Sequence, residues 1–299
     1  MRLVLFIVLL SVFGGLSLPG QDLYRDWNRR VCPVLDTPFR THGGWDIAHT
    51  LRTDTDAPGW GDGVSVTDIG FWGRLPTWEN DFGGELEVRG HADFRLLEGL
   101  ESGSGIDRQH GFMMLRGVVT WHQRYLGGFG MQTRIQPGVY TALSNPSGNL
   151  FAVPVGATFI QALSADFAIF AGVDYYPNFM VEFDPVVGVL YSLYNELWVQ
   201  VAYPHTRVTM RPYGGRFQFG VGADFTRWPE YSLGADDERE RLRFRENQAY
   251  VELSWDTRGF TQIDLRLGYV FGRKAIFEEG LSVDFDDAPL ASLGFRAML

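Results

Sequence analysis

The feature that most constrains the fold is strict alternation of apolar and polar side chains over segments of ten residues or more. In 85–96 the even positions are apolar or small and the odd positions are all ionisable. Similar rows occupy 216–225 and 262–271. Because successive side chains of a strand point to opposite faces, each segment predicts a strand with one apolar and one polar face.

The length of these segments separates two all-β classes. Strands of soluble proteins most often have about five or six residues, whereas a tilted membrane strand needs about nine to eleven. After position 20 the sequence has no apolar run of about 18 residues, the length that a membrane helix requires. The segments therefore predict an all-β chain that forms a single antiparallel transmembrane β-barrel.

The spacing of the connections supports a barrel of the outer-membrane type, which has short periplasmic turns, longer outer loops and an even number of strands. Counted back from residue 299, connections at 256–259, 212–215, 193–196, 163–166 and 125–128 are short. Most of those between them are long, with an exception at 203–205. This arrangement predicts fourteen strands, or twelve if 197–203 and 206–211 are not separate strands.

Aromatic residues gather near the predicted strand ends. Those expected beside the outer loops are Tyr140, Tyr175, Tyr203, Trp228 and Phe271, and those beside the periplasmic turns are Tyr125, Tyr194, Tyr213 and Trp255. Aromatic rings favour membrane–water interfaces because they join an apolar body to a polar edge. Two aromatic girdles are expected.

The N-terminus has the layout of a secretory signal peptide. A basic residue, Arg2, precedes the short apolar stretch 3–13, and small residues follow. We expect a signal peptide at 1–20, a periplasmic segment at 21–43 and the barrel at 44–299. The expected location is the bacterial outer membrane, after export and cleavage. Cys32 is the only thiol, so an intramolecular disulfide is excluded.

Composition narrows the partners. The formal charge of −10 argues against nucleic acid, which requires a basic surface. The expected partners are outer-membrane lipid and the barrel assembly machinery, and no cofactor is expected.

The stretch 173–212 contains the segment PVVGVLY at 185–191, followed by a hairpin and a proline-basic segment. In Pro185, Gly188, Pro204 and Arg207 it resembles a family of bacterial outer-membrane barrel proteins that has no assigned activity. The resemblance implies a barrel fold and carries no catalytic residue.

Charged side chains on the polar face are candidates for lining the lumen. They are Glu85, Glu87, Arg89, His91, Asp93, Arg95, Arg116, Arg134, Asp224, Glu252, Asp264 and Arg266. A water-filled pore and a packed interior of salt bridges both fit such a face, and the sequence leaves these alternatives open.

Other polar residues suggest chemistry only weakly. His91, His122 and Ser292 would form a hydrolase site only if the fold brought them together, and no motif requires this. His49, His91, His110, His122 and His205 have no metal-ligand spacing. Two predicted outer loops carry carboxylates that bind divalent ions or are simply solvated: Asp54, Asp56 and Asp62, and Glu278, Glu279, Asp284, Asp286 and Asp287. The charged segment 236–246 is expected in an outer loop.

The function that we expect is passive passage of small polar solutes, and not an enzymatic activity. Glycines assigned to the inner face would leave room for a lumen: Gly90, Gly220, Gly222, Gly268 and Gly294. The alternatives are a closed structural or receptor barrel and a secreted soluble β-sandwich.

Overall fold

The computed structural model describes residues 41–53, 64–76, 78–79, 84–98, 111–125, 128–143, 150–164, 166–193, 196–212, 215–232, 241–257, 261–278 and 282–298. Its strand segments are β1 Thr41–Thr53, β2 Val64–Arg74, β3 Trp78–Glu79, β4 Gly84–Glu98, β5 Gly111–Arg124, β6 Phe129–Ile135, β7 Gly138–Ala142, β8 Leu150–Ala152, β9 Val155–Ala162, β10 Phe167–Tyr175, β11 Phe183–Leu193, β12 Leu197–Tyr203, β13 His205–Met210, β14 Phe217–Ser232, β15 Arg241–Asp256, β16 Thr261–Phe277, β17 Ser282–Phe285 and β18 Ala288–Met298. None of the described residues forms a helix long and apolar enough to cross a membrane.

The segments pair antiparallel into one closed sheet. Two complete strands, β6 with β7 and β8 with β9, are each interrupted next to a proline, Pro137 or Pro154. Proline has no N–H to donate to the ladder. β17 and β18 form a third interrupted strand, and β3 adds only two residues beside β4. We use the word stave for one complete strand, and the described residues form fourteen staves, which confirms the predicted count.

The last strand closes the barrel against the first. β18 pairs with β1 over nearly its whole length, with Trp45 opposite Phe295. On its other side β1 pairs with β2. No sheet edge therefore remains at this seam, as a strand structure in lipid requires.

The two faces of the sheet differ sharply in character. Leu265 and Phe219 are 43% and 47% exposed, whereas Gln262 and Gln218 are 2% and 4% exposed. Large apolar side chains are exposed around the whole outer surface, among them Ile47, Phe71, Leu115, Phe159, Val187, Val201, Val251 and Leu293. A continuous apolar outer surface is stable in lipid and unstable in water. The fold is that of a transmembrane β-barrel.

The staves differ greatly in length. β14, β15 and β16 have 16, 16 and 17 residues, whereas β12 and β13 have 7 and 6. A tight turn at Tyr203 and Pro204 joins the two short strands.

We call the end at which β1 begins and β18 ends the periplasmic end, after the usual orientation of such barrels, and the opposite end the outer end.

Two irregularities reverse the alternation of inward and outward side chains in the long strands β14 and β16. In β14 the register shifts between Arg227 and Glu230. In β16 the shift lies opposite Arg245 and Asn247, where Gly272 has a φ of 58°, the left-handed conformation that glycine adopts at bulges. Beyond each irregularity, positions of the opposite parity face the interior.

The outer end of the barrel is narrower than its middle. Ser232 at the end of β14 pairs in parallel with Thr141 of β7. This contact bypasses five short staves, from the β8–β9 stave to β13. At the outer end, β14 and the stave formed by β6 and β7 therefore contact each other above the five staves that lie between them.

Candidate functional site

The barrel interior carries a belt of charged side chains. On β4 the inward residues alternate with the outward residues Val88, Ala92 and Phe94. The sequence-predicted lining residues that form ion pairs inside the barrel are Glu85, Glu87, Arg89, Asp93, Arg95, Arg116, Arg134, Asp224, Glu252, Asp264 and Arg266. His91 lies opposite Arg116 in the register of β4 and β5. The interior is thus polar and internally charge-paired.

One group of these pairs lies toward the periplasmic end. Arg74 of β2 contacts Glu87 of β4 at 2.8 Å and Glu85 at 3.9 Å. Arg89 also pairs with Glu87. Two guanidinium groups therefore share the buried Glu87 carboxylate.

Some ion pairs reach across an intervening stave, and a glycine lies between the partners. Arg134 Nη2 of β6 donates to Asp174 Oδ2 of β10 at 2.6 Å. Between them lies Gly156 of β9, in register with both. A Cβ at Gly156 would collide with the Asp174 carboxylate, so the glycine allows the pair to form.

A second crossing pair anchors a larger cluster near the short staves. Arg207 of β13 pairs with Glu252 of β15, which also accepts a hydrogen bond from Arg266 at 3.0 Å. The Arg266 guanidinium lies 4.0 Å from the centre of the Tyr250 ring, a cation–π geometry. That ring covers Gly222, where a Cβ would lie 2.7 Å from Tyr250 Cζ.

Carboxylates and glycines alternate along one cross-strand row. The row runs through Asp264, Gly294, Asp46, Gly70 and Asp93 on five adjacent staves. Arginines flank it, with Arg296 2.8 Å from Asp264 and Arg116 3.8 Å from Asp93. Such a row attracts cations, and its arginines limit that attraction.

Closer to the outer end an ion-pair network crosses the interior. Arg95 of β4 donates to both oxygens of Asp68 at 2.8 and 2.9 Å and to Glu246 of β15 at 2.7 Å. Arg273 of β16 approaches the same Glu246 at 3.5 Å. Arg95 and Arg273 are each only 1% exposed. We call these four residues the crossing network.

An apolar cluster lies directly beyond the crossing network. We name it the outer apolar cluster, and its buried members are Val64, Val66, Leu97, Phe112, Met114, Tyr140, Ala142, Ala152, Phe179, Tyr231, Leu242, Phe244, Ala275, Val283 and Phe285. The ring of Phe112 lies 5.0 Å from that of Tyr231 and 5.4 Å from that of Phe244. Because these residues come from staves around the barrel, their packing fills the interior at this level.

The turn after β10 packs against the same cluster. Phe179 makes an edge contact with Tyr140 at 5.4 Å. The Val181 N–H donates to Glu230 Oε1 of β14 at 3.3 Å. Burial raises the pKa of the neighbouring Tyr176 to about 12, so this phenol stays neutral at ordinary pH. The turn thereby covers the narrowed outer end on the side of the short staves.

Sequence reasoning missed the outer apolar cluster, placed 241–246 in an outer loop instead of in β15, and misassigned Tyr140 and Gly90. Tyr140, expected in the outer girdle, is 2% exposed and packs inside the barrel. Gly90, assigned to the inner face, lies on the outward face, where a Cβ would meet no atom within 4 Å. Inward aromatic side chains at the strand ends were the available signal, but the irregularities in β14 and β16 obscure it.

Part of the interior wall formed by β9, β10 and β11 is apolar. Ile160, Ala168, Phe170 and Leu190 form a second buried cluster. They lie on β9, β10 and β11, away from most of the charged belt. The interior therefore has an apolar patch on this side, next to buried polar residues such as Asp174 and Ser192, and a charged belt over most of the remaining wall.

The histidines and Ser292 do not come together as a catalytic or metal site. Ser292 lies opposite Arg266 and Ala48 in the register, three staves from His91 on β4. His49 Nδ1 lies 2.9 Å from Thr67 Oγ1, and His205 Nδ1 lies 3.1 Å from Asp224. Among the described residues no group of three His, Cys, Asp or Glu side chains has a metal-holding arrangement.

Several sequence expectations lie outside the described residues: the signal peptide 1–20, the segment 21–40, Cys32, Asp54, Asp56, Asp62, Tyr194, Tyr213, His110, Glu279 and 236–240.

In the second acidic loop, Asp284 pairs with Lys274 at 2.8 Å. Asp287 accepts a hydrogen bond from the Gly272 N–H at 3.1 Å. These carboxylates are therefore engaged with the bulge region of β16.

Comparison with known proteins reveals similarity of fold only. No family model and no curated protein matches the chain, so the resemblance of 173–212 to a barrel family gains no support from them. Solved structures that are similar include the KdgM porin, at 8% identity and a TM-score of 0.38, over 86% of this chain and 99% of the porin. The TodX monoaromatic hydrocarbon channel deltaS2 mutant has 10% identity and a TM-score of 0.44, over 87% and 90% of the two chains.

A third similar structure is the COG4313 outer membrane channel from Pseudomonas putida F1, with 10% identity and a TM-score of 0.41 over 87% of this chain and 97% of that one. At such low identity the similarity does not extend to individual residues or to activity. The pairing of the strands and the character of the two faces establish a closed fourteen-stave β-barrel with an apolar outer surface and a largely charged interior.

Proposed function

We propose that the protein is a narrow channel for small polar solutes in the bacterial outer membrane, closed at its outer end in this conformation. The observation that carries the proposal is the charged belt, which runs over the inward face from β13 around the seam to β6. Inward polar faces line water-filled paths in barrels of this type. No catalytic activity is part of the proposal.

The charge pattern of the belt favours small neutral or weakly charged solutes. Arg207, Glu252 and Arg266 alternate in sign within a few ångströms of one another, and the Asp46 row is flanked by arginines. A path lined in this way presents no large net field to a passing ion. Solutes that exchange hydrogen bonds with both signs of charge are accommodated best.

The outer apolar cluster would act as the gate of this channel. Its aromatic rings fill the interior where the staves converge, and an apolar constriction blocks water and ions by dewetting. Opening requires the rings of Phe112 and Tyr231 to separate.

A closed structural barrel is the second candidate, and the crossing network favours it. Arg95, Glu246 and Arg273 are almost completely buried, as in a packed interior. In this alternative the charged belt only stabilises the barrel.

Conductance of the purified barrel in a planar bilayer separates the two candidates. The informative variant is Phe112→Ala with Tyr231→Ala, which shortens two gate rings, and the matched control is Phe219→Ala, which shortens one ring on the lipid face. A channel with an apolar gate predicts small or rare openings in the parent barrel and larger ones in the gate variant only. Absence of conductance in all three proteins would reject the channel.

A second variant tests whether the belt lines the path. Arg89→Ala removes a positive charge near the periplasmic end and should shift ion selectivity toward cations. Unchanged selectivity in a conducting barrel would place the path away from β4.

A further inference from the structure

Two basic residues lie side by side in a short cross-strand row on β15 and β16. Arg245 of β15 is the register partner of Lys274 in β16. Residues directly opposite on adjacent strands have Cβ atoms about 4.5–5.5 Å apart. Like charges in such positions destabilise a sheet, so the row gains stability from an anion that bridges it.

The row lies on the outer surface of the barrel. Arg245 is exposed, and its chain neighbours Phe244 and Glu246 are buried in the interior. In β16 the bulge at Gly272 turns Arg273 into the interior and leaves Lys274 on the outward side beside Arg245.

The depth of the row follows from its neighbours. One step toward the middle of the membrane lie Phe225, Asn247 and Phe271, again in register. Phe225 is 36% exposed and stacks on Tyr203 at 6.1 Å. Because aromatic rings mark the membrane–water interface, the basic row lies just outside it, at the level of the lipid headgroups.

Among the described residues, the carboxylates near the row pair with Lys274 and not with Arg245. Lys274 pairs with Asp284 at 2.8 Å, and both side chains are exposed. Exposed pairs of this kind contribute only about 0–1 kcal/mol. Among the described residues no carboxylate forms an ion pair with Arg245.

We propose that the row of Arg245 and Lys274 binds phosphate groups of outer-leaflet lipids. Guanidinium groups bind phosphate through paired hydrogen bonds, and an ammonium group adds a further charge. The site faces lipid and is independent of any conduction through the interior.

Binding of lipopolysaccharide to the folded barrel in zwitterionic detergent tests the proposal. The test variant carries Arg245→Ala and Lys274→Ala. The control is Arg216→Ala, an exposed arginine at the periplasmic end. The test variant should bind about tenfold more weakly, because it loses two charge-assisted contacts, and the control should bind like the parent barrel. Equal binding by the test variant and the parent would overturn the site.

Two further ligands show whether the bound phosphate belongs to a lipid or is a free anion. Lipopolysaccharide without its lipid A phosphates should bind the parent barrel as weakly as intact lipopolysaccharide binds the test variant. Inorganic phosphate that competes at the concentration of the intact lipid would overturn the lipid assignment in favour of a free-anion site.

Thermal unfolding gives a readout that does not depend on lipid capture. Without phosphorylated lipid, Arg245→Ala should unfold at the parent temperature or higher, since it removes repulsion within the row. Addition of lipopolysaccharide should raise the unfolding temperature of the parent more than that of the variant. An equal rise in both proteins would contradict the proposal.

Discussion

Arg95 of β4 and Glu246 of β15, 151 positions apart in the chain, meet across the barrel interior with 2.7 Å between Nη2 and Oε2. Five stave-to-stave steps separate the two strands around the wall, so the ion pair spans the interior instead of following the sheet. Glu246 also receives Arg273, and Arg95 also holds Asp68.

Removal of Arg95 should be strongly destabilising. Arg95→Ala leaves the carboxylates of Asp68 and Glu246 buried with one partner fewer, and breaking a buried pair in this way costs about 3–5 kcal/mol. The free energy of unfolding in urea, measured in lipid vesicles, checks this value.

The matched control for Arg95 is Lys274→Ala, which breaks the exposed pair with Asp284. Exposed pairs contribute about 0–1 kcal/mol. Similar losses in the two variants would show that the crossing network is not a buried network in the folded protein.

Placement of a charge on the lipid face should destabilise the barrel. Leu265→Arg or Phe219→Arg places a guanidinium at a position where the present side chain is nearly half exposed on the lipid face. The expected loss in free energy of unfolding is about 2–4 kcal/mol near the bilayer midplane. The inward variant Gln218→Ala should lose only about 1 kcal/mol. Equal losses in Leu265→Arg and Gln218→Ala would contradict the assignment of the two faces.

Tyr250 and Gly222 should show strong coupling. A methyl group at Gly222 meets Tyr250 Cζ and Oη at 2.7 Å, so Gly222→Ala must displace the ring from Arg266, at a cost of about 1–3 kcal/mol. In a Tyr250→Ala background the same change should cost little. A double-mutant cycle of unfolding free energies measures the coupling, and additive losses would contradict the contact.

Loss of the end of β18 should prevent closure. Deletion of 293–299 removes Phe295 and its pairing with Trp45, together with the pairing of Leu293 to Ala297 with β16. The unpaired N–H and C=O groups of β1 would then face lipid, at several kcal/mol each. Heat-modifiable gel migration of the truncated protein should be lost, and normal migration would place closure elsewhere.

The outer face and the number of staves could be predicted from the sequence because both follow from local alternation. Leu265 and Phe219 are in their expected places since a period of two needs no knowledge of distant residues. Even the short strands β12 and β13 were counted correctly, because Pro204 marks the turn between them.

The closure of the outer end could not be predicted in the same way. Phe244 and Leu242 lie in 236–246, a segment whose many charged residues predicted an outer loop. Both are nevertheless buried inside the barrel. The bulge at Gly272 reverses the parity that predicted inward and outward positions, so Arg273 enters the interior. The pairing of Ser232 with Thr141 joins residues 91 positions apart, and such contacts depend on the assembled barrel.

The shortness of β12 and β13 has a consequence for the surrounding bilayer. Strands of 7 and 6 residues are shorter than the roughly nine to eleven residues that a full crossing needs. Beside them the hydrocarbon layer must become thinner or the barrel axis must lean away from the membrane normal. In either case the lipids on this flank meet a shorter wall of strands than those beside β14 to β16, so the protein imposes unequal conditions on the lipids that surround it.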